Sequence, residues 1–81
     1  MTLTVHLFAR ARELAGADAT AVDLPPAATV AALRAALAGR FPLLAPLLAR
    51  SAVAVNHDVA EDHHVLTAAD EVAVIPPVSG G

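Results

Sequence analysis

The residues best placed to do chemistry stand at the C-terminal end, which reads Pro76-Pro77-Val78-Ser79-Gly80-Gly81. Two glycines carry no side chain, so an arm ending on them offers a bare α-carboxylate slim enough to thread a narrow channel in another protein. Such a carboxylate has an ordinary pKa of about 3.3–3.7, is ionised at neutral pH, and is a poor electrophile until activated. The two prolines lack an N–H, so they end strand pairing and hold the following residues extended. The expected design is a strand, a stiff exit and a short flexible tip. Gly81 would carry that carboxylate, and Val78, Ser79 and Gly80 would thread.

No other constellation competes with that terminus. The chain has no cysteine and its five basic residues are all arginine, so it holds neither a thiol nucleophile nor a side-chain amine for an isopeptide link. His57, Asp58, Glu61, Asp62, His63 and His64 are close in sequence, but their spacing matches no common zinc or calcium pattern. They are expected to form a solvated loop, with no metal. His6 reads as a surface residue on the outer side of a strand. Asp70 and Glu71 are adjacent, so on a strand they point apart and make no paired acid–base device. The expectation is a chain with no catalytic residues and no bound cofactor of its own.

Composition narrows the setting. With 81 residues, 57% of them hydrophobic, and a mean hydropathy of +0.62, the chain suits one small domain with a dense apolar core. A net charge of −3 without a basic cluster argues against nucleic acid as a partner. The longest uncharged stretches, Leu24 to Leu33 and Val72 to Gly81, fall far short of the ~20 residues that cross a bilayer. The alternating N-terminus does not resemble a signal peptide, so a soluble cytoplasmic protein with no membrane partner is expected.

The elements that must position the arm follow from periodicity. Thr2 to Phe8 alternates, which turns Leu3, Val5 and Leu7 inward and Thr4, His6 and Phe8 outward on a strand. Arg10 to Ala15 predicts a short helical segment stopped by Gly16, and Ala19 to Leu24 a second strand paired with the first. Thr29 is the expected cap of a helix from Val30 to about Ala38, with Gly39 as its stop and Val30, Leu33 and Leu37 as its apolar stripe. Phe41 to Arg50, broken by Pro42 and Pro46, reads as an irregular connector. Ala52 to Val55 is a third strand, Asn56-His57-Asp58 a turn before Val59, Glu61 to His64 a polar loop, and Val72 to Ile75 the last strand. This order predicts an α+β fold of the ubiquitin-like β-grasp type. It has a mixed sheet, one main packed helix and a flexible Gly-Gly tail. Residues 1–77 form the domain and 78–81 the reactive tail. Strand parity leaves Phe8, Val59 and Ile75 facing outward. Together they make one exposed apolar patch.

Several of these segments together resemble the molybdopterin synthase small subunit, the MoaD family. Phe8-Ala9-Arg10-Ala11-Arg12-Glu13-Leu14-Ala15-Gly16 resembles the signature after its first strand. Thr29-Val30 with Leu33-Arg34 resembles its helix start, and Val55-Asn56 its hairpin. Asp70-Glu71-Val72-Ala73 with Pro76-Pro77-Val78-Ser79-Gly80-Gly81 resembles its ending. Ala69 departs from the glycine often found before Asp-Glu-Val, and Val74-Ile75 from the paired aromatics of some members. The resemblance implies a sulfur carrier in molybdenum cofactor biosynthesis. Its Gly81 would be adenylated with ATP by a ubiquitin-activating-like adenylyltransferase and converted to a thiocarboxylate with a sulfur donor protein. It would then deliver sulfur to a cyclic pterin precursor inside the large synthase subunit, as part of a heterotetramer. The resemblance also implies that the patch of Phe8, Val59 and Ile75, with Pro76 and Pro77, is the partner surface beside the tail. Sulfur carriers for thiamine or cysteine synthesis share the ending. So do two rivals of other kinds, a ubiquitin-like modifier and an inert β-grasp interaction module.

Overall fold

The strict alternation of Thr2–Leu7 becomes strand β1, with Leu3, Val5 and Leu7 almost wholly buried. In this computed structural model, which describes residues 1–78, the chain turns sharply after β1. Phe8 is extended and Ala9 takes a left-handed φ of 50°, leading into helix α1, Ala9–Ala15. Gly16 ends α1 at φ 73°, its amide donating to the Arg12 carbonyl at 2.9 Å, a left-handed cap that glycine adopts without a Cβ penalty. Strand β2, Ala19–Asp23, then returns antiparallel to β1.

Helix α2 spans Val30–Arg40 and buries Val30, Leu33 and Leu37 completely. Its first amides, which have no partner inside a helix, are all satisfied. Those of Val30 and Ala31 donate to the His64 and Asp62 carbonyls at 3.0 Å, and that of Ala32 to Thr29 Oγ1 at 3.3 Å. The helix runs through Gly39 to Arg40, so the expected stop at Gly39 is wrong. Gly39 keeps a helical conformation, and the Phe41 amide closes the end on the Leu37 carbonyl.

The stretch expected to be an irregular connector is a 3₁₀ turn, Pro42–Leu44, followed by the one-turn helix α3, Ala45–Leu48. Both prolines sit in the first turn of their element, where a missing N–H costs nothing. They start these turns rather than break them. Leu44, Leu47 and Leu48 are thereby delivered to the core. Arg34, reaching from α2, fastens this region. It donates to the Leu48 and Ser51 carbonyls and pairs through Nε with Asp62 at 2.8 Å.

Strands β3, Ala52–Val55, and β4, Asp58–Ala60, form a hairpin. Its two turn residues, Asn56 and His57, both have positive φ, the geometry that matches strand twist. Strand β5, Val72–Ile75, inserts between β1 and β3, parallel to the first and antiparallel to the second. The sheet order is β2-β1-β5-β3-β4. Helix α2 and the turns after it cover one face, and the core lies between them, with Val5, Val53, Val72 and Val74 wholly buried.

Candidate functional site

The opposite face of the sheet carries short side chains at its centre. Cross-strand pairing sets one row in order, Ala19, His6, Ala73, Ala54 and Val59. Alanines on the middle strands leave a hollow of about 340 Å³. Ala54 and Ala73 form its floor, Phe8 and Ile75 wall one end, and His6, His57 and Glu71 wall the other. Phe8 is 51% exposed and Ile75 43%, high values for large apolar side chains flanking one depression.

Glu71 stands between two imidazoles, its carboxylate oxygens 3.4 Å from His6 Nε2 and 4.0 Å from His57 Nε2. Local sequence gave no signal for that grouping, which depends on β5 pairing with β1 and β3. Beneath it, Asp70 is locked in place. It accepts from the Thr67 amide at 2.8 Å and from Asn56 Nδ2 at 2.9 Å, while Asn56 Oδ1 accepts from the Glu71 amide at 2.9 Å. The Thr67 amide, aided by the Asn56 side chain, holds the Asp70 carboxyl below its ordinary value of 3.8.

The expected surface residues divide among three places. Phe8 and Ile75 share the hollow. Val59, 73% exposed, lies in the same cross-strand row, but it lines a neighbouring groove with Asp58, Glu61, His63 and Asp70. Pro76 is buried, so its ring packs into the domain, whereas Pro77 and Val78 are exposed beside a further hollow. Ser79, Gly80 and Gly81, the rest of the expected reactive tail, lie outside the described residues.

Of the polar cluster around residues 57–64, Asp62 and His57 turn to partners outside it, while Asp58, Glu61, His63 and His64 line one groove. Asp62 pairs with Arg34, Glu61 with His63 at 3.2 Å, and His57 turns toward Glu71. Among the described residues, no three His, Cys, Asp or Glu side chains are arranged to hold a metal ion. No helix among them is long and apolar enough to cross a membrane.

A five-stranded mixed sheet grasping one main helix, with its middle strand leading straight to the C-terminal segment, defines a ubiquitin-like β-grasp domain. The ThiS family model matches residues 5–81, and the chain belongs to that family. It is 43% identical over 83 residues to the molybdopterin synthase sulfur carrier subunit of Escherichia coli, covering 98% of this chain and 99% of that protein. It is 35% identical over 79 residues to the subunit of the same name from Arabidopsis thaliana, covering 98% and 82% of the two chains. The crystal structure of SAMP1 from Haloferax volcanii, a small archaeal modifier protein, superimposes with a TM-score of 0.89 at 32% identity over the whole of both chains.

Proposed function

We propose that this chain is the sulfur carrier subunit of a molybdopterin synthase. The observation that carries the reading is the 43% identity to the Escherichia coli carrier over practically the full length of both proteins. The hollow floored by Ala54 and Ala73 supports it, since it offers a docking face next to the segment that must reach a partner's active site.

On this reading Gly81 supplies the reacting group. A Gly81 carboxylate oxygen attacks the α-phosphorus of ATP on an adenylyltransferase and expels pyrophosphate. A sulfide-level nucleophile from a donor protein then attacks the acyl carbon and expels AMP, leaving a thiocarboxylate. The large synthase subunit takes up the arm and supplies the catalytic residues. The thiocarboxylate sulfur bonds to the cyclic pterin precursor, and water then cleaves the acyl C–S bond, leaving sulfur on the pterin and restoring the Gly81 carboxylate. The carrier is non-catalytic, acts in the cytoplasm and holds no cofactor. Two copies and two large subunits make the heterotetramer.

The similarity to SAMP1 supports a second reading, a protein modifier joined to target amines through the same glycine. Intact-mass analysis after incubation with the activating enzyme, ATP and a sulfur source separates the two. Replacement of one oxygen by sulfur on the chain is expected, and pterin conversion should be lost on deletion of Gly81 with the melting temperature unchanged. Covalent adducts to other proteins, without that exchange, would favour the modifier. Full pterin conversion by the Gly81-deleted chain would refute the carrier reading.

A further inference from the structure

Just past the ridge formed by Phe8 and Ile75 lies a separate hollow of about 580 Å³ at the root of the C-terminal segment. Leu47, Pro76, Pro77 and Val78 give it an apolar lining, and Arg10 and Arg50 stand at it from two different elements. Four of the five arginines have partners. Arg10 pairs with Glu13 at 3.0 Å, Arg12 with Asp18 at 3.6 Å and Arg34 with Asp62 at 2.8 Å, and Arg40 donates to the Ala21 carbonyl at 2.9 Å. Among the described residues Arg50 is the one whose guanidinium has neither an ion pair nor a hydrogen bond. It is exposed, on a chain whose net charge is −3.

We infer that this hollow receives a carboxylate-bearing segment of the protein that takes up the arm, with Arg50 as its anchoring cation. This rests on the carrier reading above and extends it by naming the chemistry of a second contact. Charge complementarity selects the occupant. A guanidinium with five donors and no partner among the described residues matches a carboxylate, and Arg10 can add a second contact by leaving its exposed pair with Glu13, which is worth little. A polyphosphate backbone would be repelled by the excess of acidic groups, whereas one Asp or Glu side chain faces only the local arginines. The apolar lining suits the methylene stem and backbone of a peptide segment better than a free, hydrated anion. Position agrees. Phe8 leads to Arg10 and Ile75 to Pro76 within two residues, so a partner seated on the sheet face meets this hollow at the point where the arm leaves the domain. A contact there fixes the direction in which the arm departs, which the sheet face alone does not.

The test is binding of the full chain to the large synthase subunit of the same organism, at about 0.1 M and 1 M salt, where the screening length falls from roughly 10 to 3 Å. Arg50→Glu is expected to raise the dissociation constant about tenfold at low salt, mainly through slower association, and much less at high salt. Arg50→Lys should stay within about threefold of wild type, because the charge is kept and only the bidentate fork is lost. An unchanged constant for Arg50→Glu, in an assay where Phe8→Glu weakens binding, overturns this inference and leaves the carrier reading standing. A loss undiminished by salt also overturns it. Self-association of the wild-type chain that vanishes in Arg50→Glu would give the hollow to a second copy instead. Failure of the wild-type chain to bind the large subunit overturns both readings.

Discussion

A carboxylate that accepts two hydrogen bonds only in the folded chain makes folding answer to pH. Asp70 is such a group, held by the Thr67 amide and Asn56. Its folded pKa is depressed from 3.8, so its contribution is present above that value and is lost as pH falls through the folded pKa. The melting-temperature gap between wild type and Asp70→Asn should therefore be constant near neutrality and narrow below about pH 4. A gap independent of pH would show that the charged form is not what the fold uses. At this scale the sequence was only partly legible. Only the placing of Asp70 and Glu71 directly ahead of the last strand follows from local sequence. Their partners, Asn56 for one and His6 with His57 for the other, do not, because those contacts cross strands whose pairing no local pattern encodes. The polar run 61–64 was legible as a loop but not in its duty, which is to accept the first amides of α2.

Element boundaries show which local signals decide structure. Thr29 caps α2 and Gly16 ends α1 as their types suggest, since a side-chain acceptor and a left-handed backbone act within a few residues. Gly39 has the same type as Gly16 and the opposite role. Leu37 is buried behind it and Phe41 packs against the core beyond it, and that burial carries the helix through. Glycine is there at a cost in chain entropy, and a Cβ built on it meets nothing within 4 Å. Gly39→Ala should thus stabilise the domain by about 0.5–1 kcal/mol, read from chemical denaturation. No gain, or a loss, would mean that the end of α2 is less regular than described. The prolines at 42 and 46 were misread for a related reason. Proline is a breaker in a helix interior but a starter in its first turn, and position within the element was not visible beforehand.

For the molecule as a whole, the two faces of the sheet divide buried from exposed apolar side chains, and the proposed function gives the exposed face to recognition. Leu3, Val5 and Leu7 hold the domain together, while Phe8 and Ile75 stand on the opposite face, exposed. This division was legible from strand parity. The hollow between them was not, because it needs Ala54 and Ala73 to come side by side. Phe8→Glu should weaken binding to the large subunit at least tenfold, since burial of such a side chain is worth about 1.5–3 kcal/mol and each 1.4 kcal/mol is one decade. The melting temperature of the free chain should barely move. An unfolded Phe8→Glu protein would place Phe8 in the stability of the domain and void the division.

The middle of the sheet is also its last-made strand. β5 joins β1 to β3, and without it the β1–β2 pair and the β3–β4 hairpin share no hydrogen bond across the sheet. On the ribosome, every earlier element must wait for Val72–Ile75 to emerge before the domain can close, which makes folding depend on contacts far apart in sequence. A chain cut short before β5 therefore loses its fold together with the C-terminal segment that follows that strand. Such fragments would be removed as unfolded protein rather than compete for the partners of the complete carrier.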